Sequence, residues 1–349
     1  MKTFDSNVVT ECCLSQDFAL VGITGARPTR FNHELDSWLK EGKQGEMDWM
    51  NRNVNIRKDP RQLLEGANSV VCVADRYSIL KEGPLKHVEG RIARYARGKD
   101  YHKIMKERLH EVCDKLKEIA PKESFRACVD TAPVLEREFA SSAGLGSIGK
   151  HTLLIEQGVG SWLLLGVIVT TAKLTPTELV EQDPCATCTR CIDACPTDAI
   201  TPWSVDARKC VSYLTIEHRT EIDPKFFSGI GEWMFGCDIC QEVCPHNQPN
   251  EKGAEKSVHD AYSPTLSSLN VLDVLLWNEE ARRNAFRSSS MKRAKLGMMR
   301  RNAVIVAGNL LKRKYDTELL TALKTIAAGD EDEMVRNTAI AVLENQANS

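Results

Sequence analysis

Cys185-Ala-Thr-Cys188-Thr-Arg-Cys191-Ile-Asp-Ala-Cys195-Pro196 decides how this 349-residue chain is read. Its spacing, C-x2-C-x2-C-x3-C-P, is the run that bacterial two-cluster ferredoxins use to hold iron and sulfide. Three thiolates at two-residue gaps wrap one face of a cubane, and the fourth, after a longer gap and a proline turn, points to a second cluster. A partner run is therefore required. Cys237-Asp-Ile-Cys240-Gln-Glu-Val-Cys244-Pro245 supplies it, with Cys210 alone between the two. Crossed ferredoxin pairing gives one 4Fe-4S cluster Cys185, Cys188, Cys191 and Cys244, and the other Cys195, Cys210, Cys237 and Cys240. A pair of zinc ribbons is the competing reading of C-x2-C pairs, but the third cysteine at x2 and the C-P ending favour iron. Cys12, Cys13, Cys72, Cys113 and Cys128 have no such spacing and are expected to be buried, inert thiols.

The rest of the composition is that of a soluble globular protein, 42% hydrophobic and 27% charged. Its length asks for two or three domains. The first thirty residues contain Asp5, Glu11 and Asp17 and no apolar run, so no secretory signal is expected. The best apolar run, Trp162 to Val169, falls short of the roughly 18 to 20 residues of a membrane span and reads as a buried strand. Thirteen cysteines in such a chain imply a reducing, cytoplasmic setting and a metal or redox role. Net charge is only −2, yet residues 281–314 hold eleven Lys or Arg and no acid. That segment points to a polyanionic partner.

Along the chain, residues 1–174 alternate strand-like and helix-like segments, the pattern of an α/β layer domain. Strands are expected at Phe18 to Thr24, Ser69 to Ala74, Phe125 to Asp130 and Trp162 to Thr170. His102 to Ile119 reads as an amphipathic helix, with Ile104, Leu109, Val112, Leu116 and Ile119 on one face. Pro133 is expected to open another helix. Residues 175–255 form the ferredoxin-like domain, rich in Cys, Pro and Asp and folded around its clusters. Residues 256–349 read as helical, and Arg301-Asn-Ala-Val-Ile-Val-Ala-Gly-Asn resembles Arg336-Asn-Thr-Ala-Ile-Ala-Val-Leu-Glu-Asn. The repetition suggests HEAT-like helix pairs, with a small helical bundle as the plainer alternative.

Two further motifs are weaker. Gly144-Leu-Gly-Ser-Ile-Gly-Lys-His151 matches G-x-G-x-x-G and nearly a phosphate loop, but His151 replaces the hydroxyl residue and a helix precedes it where both motifs want a strand. It implies close approach of backbone to some cofactor and not nucleotide hydrolysis. Asp100-Tyr-His102-Lys-Ile-Met105 approaches a cobalt-binding D-x-H-x-x-G stretch, but Met105 replaces the glycine, so His102 reads as a capping or packing residue.

Nearly the whole chain resembles the epoxyqueuosine reductase family. The resemblance rests on Arg57-x-Asp-Pro-Arg61, Tyr95-Ala-Arg-Gly-Lys-Asp-Tyr-His102, Val129-Asp-Thr-Ala-Pro-Val-Leu-Glu-Arg137, the Gly144 to His151 loop, Cys210-Val-Ser-Tyr-Leu-Thr-Ile-Glu217 and Gly236-Cys-Asp-Ile-Cys-Gln-x-Val-Cys-Pro245. It implies a cobalamin in the first domain, reduced through the clusters by an unidentified electron donor, that delivers two electrons to the epoxide of a modified tRNA base. The substrate would be tRNA carrying epoxyqueuosine, its wobble nucleotide flipped toward the cofactor. The oxygen leaves only with a proton. Asp130 is the expected donor, burial raising its pKa so that it stays protonated near neutrality, with helix capping as its structural alternative.

The same resemblance carries Arg57, Asp130, Arg137, His151, Ser212 and Asp238 over as cobalamin contacts, each of which could also be a structural polar residue. A tRNA partner fits the basic segment, with Arg282, Arg283, Arg287, Lys292, Arg293, Arg300 and Arg301 as candidate phosphate contacts. No membrane association is expected, and the chain is expected to be a monomer. A cobalamin-dependent reductive dehalogenase and a pure ferredoxin-like electron carrier are the competing functions. The acid-free basic segment argues against the first, and bound corrinoid would argue against the second.

Overall fold

The computed structural model describes residues 4–78, 83–178, 182–248 and 258–347. Strands β1 (Leu20–Gly25), β2 (Ser69–Arg76), β3 (Phe125–Cys128) and β4 (Leu163–Thr170) form one sheet in the order β1-β2-β4-β3. Successive side chains of a strand point to opposite faces. Val71 and Val73 of β2 accordingly pack under helices α1 (Ser6–Leu14) and α2 (Tyr101–Ile119), while Val70, Cys72 and Ala74 pack against α3 (Glu136–Ser142) on the other side. All of β2 is buried, as a central strand covered on both faces must be.

Every pairing in this sheet is antiparallel, which the alternation of strands and helices did not announce. An α/β alternation normally builds a parallel sheet because one crossover helix returns the chain in the same direction. Here β2 and β3, joined by the helix Tyr101–Ile119, do run parallel, but β4 inserts between them antiparallel to both, and β1 adds to the free edge of β2 in the antiparallel sense. The domain is therefore layered helix and sheet, but not doubly wound.

Helix α2 begins at an Asp100 cap, whose carboxylate accepts the His102 amide hydrogen. Its buried stripe is Met105, Leu109, Val112 and Leu116, and Ile119 is 53% exposed because the stripe drifts off the core in the last turn. Pro133 does not open α3, which starts three residues later. Residues 130–135 are taken up by tight turns instead, with Asp130 left-handed at φ 47° and the Val134 amide bonded to the Ala132 carbonyl at 2.8 Å.

A second core joins the ferredoxin-like region to the C-terminal helices. Tyr213, Leu214, Ile230 and Phe235 pack with Val271, Met299, Val304 and Val306, and with Ile92, Ala93 and Ala96 from the first 174 residues. The boundary expected between residues 255 and 256 lies outside the described residues. The Arg301 and Arg336 segments each lie on a helix, α5 (Leu296–Arg313) and α7 (Glu333–Ala347), which pack side by side with α6 (Thr317–Gly329) against them. Among the described residues no helix is long and apolar enough to cross a membrane.

Two of the expected phosphate contacts belong to this core rather than to the surface. Arg301 is 0% exposed and donates to the carbonyls of Leu214 (2.7 Å), His218 (2.9 Å) and Thr220 (2.6 Å), satisfying the end of the helix α4 (Val211–Ile216) that follows Cys210. Burial pushes its guanidinium down to about 10. Arg300 donates to the Leu275 carbonyl at 2.9 Å and pairs with Asp330. Charge counting missed this because it is blind to which face of a helix a cation occupies. Replacing Arg301 by Leu strands these carbonyls, so chemical denaturation of the cluster-loaded protein should show a loss of about 3 kcal/mol.

Candidate active site

The eight motif cysteines gather into two neighbourhoods. Cys191 is pushed up by burial and by nearby Cys185 and Cys188, and Cys244 by burial with Cys185 and Cys191. Cys237 is raised by burial with Cys240 and Cys210 beside it, and Cys210 by burial with Cys195 beside it. The glycine loop holds the first group in place. Lys150 donates its amide hydrogen to Cys185 Sγ at 3.3 Å, and its Nζ to the carbonyls of Ala186 (2.7 Å) and Cys188 (3.0 Å). By contrast Cys13, Cys72, Cys113 and Cys128 lie inside the two faces of the sheet, their thiols raised chiefly by burial.

Charged side chains converge between the sheet and the second cysteine group. Asp130 lies two residues past the end of β3, with 57% of its side chain open to solvent. Its amide donates to Glu136 Oε1 at 2.5 Å, and its Oδ2 lies 2.9 Å from His102 Nε2. His102 Nδ1 in turn lies 2.8 Å from Asp100 Oδ1, and Lys292 Nζ 2.6 Å from Asp100 Oδ2. A chain of alternating charge thus runs from the basic segment to Asp130.

These partners reverse the expected ionisation of Asp130. Crowding by neighbouring groups pushes its carboxyl up, but the hydrogen bond and charge of His102, with help from Tyr101 and Arg137, hold it below the usual carboxylate range. His102 responds oppositely: burial lowers it, but Asp100 and Asp130 lift it to about 9. The carboxyl that stays protonated near neutrality is Glu136, pushed up to about 8 by burial and by Asp130. His102, Glu136 and Tyr101 were all missed by sequence reasoning. The signal for His102 was present in the Asp100-Tyr-His triplet, but capping accounted for it.

Two other site residues carry buried polar atoms without a hydrogen-bond partner, Arg57 Nε and His151 Nε2. Arg57 sits over the Trp49 ring at 5.6 Å and feels Glu136 and Asp130. His151 is driven down to about 4 by burial, Arg137 and His246, so its ring is neutral. Arg137 fixes the turn beside it by donating to the Thr152 carbonyl at 2.9 Å. Asp238, buried between two cysteines, accepts the Arg94 amide hydrogen at 2.8 Å and is raised to about 7 by burial. Tyr95 joins the two halves: burial, then Asp130 and Asp238, push its hydroxyl up. Ser212 lies in the first turn of α4, two residues after Cys210.

Residues 184–247 match the family model described as 4Fe-4S double cluster binding domain, and residues 57–131 the one described as Epoxyqueuosine reductase QueG, DUF1730. Epoxyqueuosine reductase of Synechococcus sp. (strain RCC307) is 39% identical over 309 residues, which cover 85% of this chain and 92% of that protein. The chain belongs to the epoxyqueuosine reductase family. The epoxyqueuosine reductase of Escherichia coli (strain K12) is 35% identical over 325 residues, 89% of this chain and 82% of that one. A crystal structure of epoxyqueuosine reductase with a tRNA-Tyr epoxyqueuosine-modified stem loop superposes with a TM-score of 0.84 at 26% identity, over 96% of this chain and 88% of the other.

As a member of the epoxyqueuosine reductase family the chain is an oxidoreductase with two 4Fe-4S clusters. Of its basic segment, Arg283 and Arg287 are exposed, as is Lys292 at 66%. Arg293 pairs with Glu217 at 2.7 Å, while Arg282 holds the carbonyls of Lys292 and Ala294.

The ion pairs at His102 set a pH dependence with a definite sign. Its folded value lies above the ordinary 6.5, so the stabilisation is complete below that pH and is lost as pH rises through about 9. An NMR titration should find His102 charged at pH 8, and Asp130→Asn should move the transition down.

Proposed function

We propose that this chain reduces the epoxide of epoxyqueuosine to the alkene of queuosine at the wobble position of tRNA, using a cobalamin and with Asp130 as proton donor. The observation that carries the reading is Asp130 itself. It is an open carboxylate on a left-handed corner, with His102, Arg137 and Arg293 around it, and it shares the neighbour Tyr95 with Asp238, the residue after Cys237. Backbone strain of this kind persists where the surrounding structure holds it, and such positions cluster at active sites.

One cluster takes Cys185, Cys188, Cys191 and Cys244, and the other Cys195, Cys210, Cys237 and Cys240, a pairing supported by which thiols neighbour one another. The cobalamin reading is supported by Arg57 Nε and His151 Nε2, buried hydrogen-bonding atoms without protein partners, suited to a ligand rimmed with amides. When bound it supplies low-potential electrons to the epoxide carbon. Arg57, Arg137, His151, Ser212 and Asp238 would hold and orient it.

What the chain adds is proton management. An epoxide oxygen is a poor leaving group as an anion, so a proton must reach it as the carbon–oxygen bond breaks. Asp130 faces open solvent, where a flipped base can enter. Exposed Arg283, Arg287, Lys292 and Arg293 lie on the segment linked to this carboxylate and would neutralise tRNA phosphates. The repeated Arg-Asn helices α5 and α7 behind them are read as HEAT-like.

Anaerobic incubation with cobalamin, a strong reductant and epoxyqueuosine-containing tRNA, followed by nucleoside analysis, tests the reading. The unaltered protein should yield queuosine. Asp130→Asn should keep its iron and lose at least roughly 10²-fold in rate; undiminished turnover in that variant would refute the donor role. Joint replacement of Arg283 and Arg287 by Glu should weaken tRNA binding and flatten its salt dependence by roughly one logarithmic unit per lost phosphate contact. Unchanged affinity would place docking elsewhere.

A further inference from the structure

We propose that His102 is the proton reservoir that recharges Asp130, held in one tautomer by Asp100. The inference rests on the reading of Asp130 as donor and adds the source of its proton. Reduction of an epoxide to an alkene and water consumes two electrons and two protons, because both carbon–oxygen bonds of the ring oxygen break and that oxygen ends as water. One carboxylate delivers one proton at a time. A second carrier is needed within hydrogen-bond reach, or the site must wait for solvent.

His102 meets that need geometrically. Its Nε2 lies 2.9 Å from Asp130 Oδ2, and its Nδ1 lies 2.8 Å from Asp100 Oδ1. Asp100 is fixed as the cap of α2 and pairs through its other oxygen with Lys292 at 2.6 Å. Burial pushes Asp100 up, but His102 and Lys292 bring it down to about 2, so it is a carboxylate under all working conditions. A permanent carboxylate on Nδ1 keeps the hydrogen there and leaves Nε2 to exchange its proton with Asp130, the same division of labour as in a catalytic triad. The Tyr101 ring stacks on the imidazole at 4.0 Å and fixes its plane.

Asp130 begins as the carboxylate and His102 as the imidazolium. As the Nε2–H bond of the imidazolium breaks, an O–H bond forms on Asp130 Oδ2, and the substrate oxygen takes that hydrogen, which returns Asp130 to the carboxylate; a second passage along the same path supplies the second proton. His102 is left neutral with its Nδ1–H still on Asp100. It regains a proton from water, to which about a third of its side chain is open, 31%. The charged and titratable groups around the pair are Asp100, Lys292, Glu136, Arg137, Arg57, Arg293 and the hydroxyls of Tyr95 and Tyr101, the latter hydrogen-bonded to Asp130 and held un-ionised by burial. Glu136 is the rival reservoir, but its oxygen accepts the Asp130 amide hydrogen and is not bonded to the Asp130 carboxylate in this arrangement.

Single-turnover reduction of epoxyqueuosine tRNA by the cluster- and cobalamin-loaded protein, followed across pH, tests the relay. The unaltered protein should lose rate as pH rises through about 9, where the imidazolium discharges. His102→Gln should abolish that alkaline limb and cost roughly 10²-fold in rate while tRNA affinity holds. Added imidazole should restore part of the rate in His102→Gly. Nitrogen-15 spectra of the ring above its transition should show hydrogen on Nδ1. An unaltered limb and rate in His102→Gln, hydrogen on Nε2, or transfer of the limb to Glu136→Gln would each overturn the relay. Asp130→Asn run in parallel separates the two ideas: full activity there overturns the donor reading and the relay together, whereas its loss beside an unaffected His102→Gln overturns the relay alone.

Discussion

Eight thiols placed between Cys185 and Cys244 are the constraint on which the rest of the structure depends. Taken as bare protein, the loops that carry the two cysteine runs of this segment have little of their own to hold them. Its helices Arg190–Asp193 and Ile239–Glu242 are single turns, and burial drives Cys240 and Cys237 away from the thiolate form a metal needs. Iron repays the cost of deprotonation and ties together loops that have no regular structure to stabilise them. The glycine loop at Lys150 and the buried Arg301 then fasten the two ends of the cluster region, one to the antiparallel sheet and the other to the C-terminal helices.

The polar chemistry concentrates between the sheet and the second cysteine group. Charges alternate there: Lys292, Asp100, His102 and Asp130 form one line, with Arg57, Arg137 and Glu136 beside its inner end. Alternation lets each group keep a defined ionisation despite its crowding, and it leaves Asp130 charged while Glu136 stays neutral near pH 7. The outer end of the line, Lys292, belongs to the basic segment, so that segment and Asp130 are physically joined.

How much of this could be read in advance varied with the range of the interaction. The double-cluster domain was legible because the spacing of Cys185, Cys188 and Cys191 is a local signal, and so were the four strands, whose runs of Val, Ile and Leu are local too. Antiparallel pairing was not, since it depends on connections whose direction no short window encodes. Asp130 was expected to stay protonated and is held ionised instead, because its pKa is set by His102, which lies 28 residues away in the chain. Arg300 and Arg301 were misplaced for a similar reason: a run of cations looks solvated until the carbonyls of Leu214, His218 and Thr220 arrive from another region to bury one of them.

Iron at the eight thiols is the premise of the whole arrangement. Elemental analysis with Mössbauer spectroscopy of anaerobically purified protein tests it most directly. Two cubanes require about eight iron atoms per polypeptide, all in 4Fe-4S form. Zinc in their place, or iron near half that amount with Cys195, Cys210, Cys237 and Cys240 left as free thiols, would contradict the arrangement on which docking surface and proton chain are built.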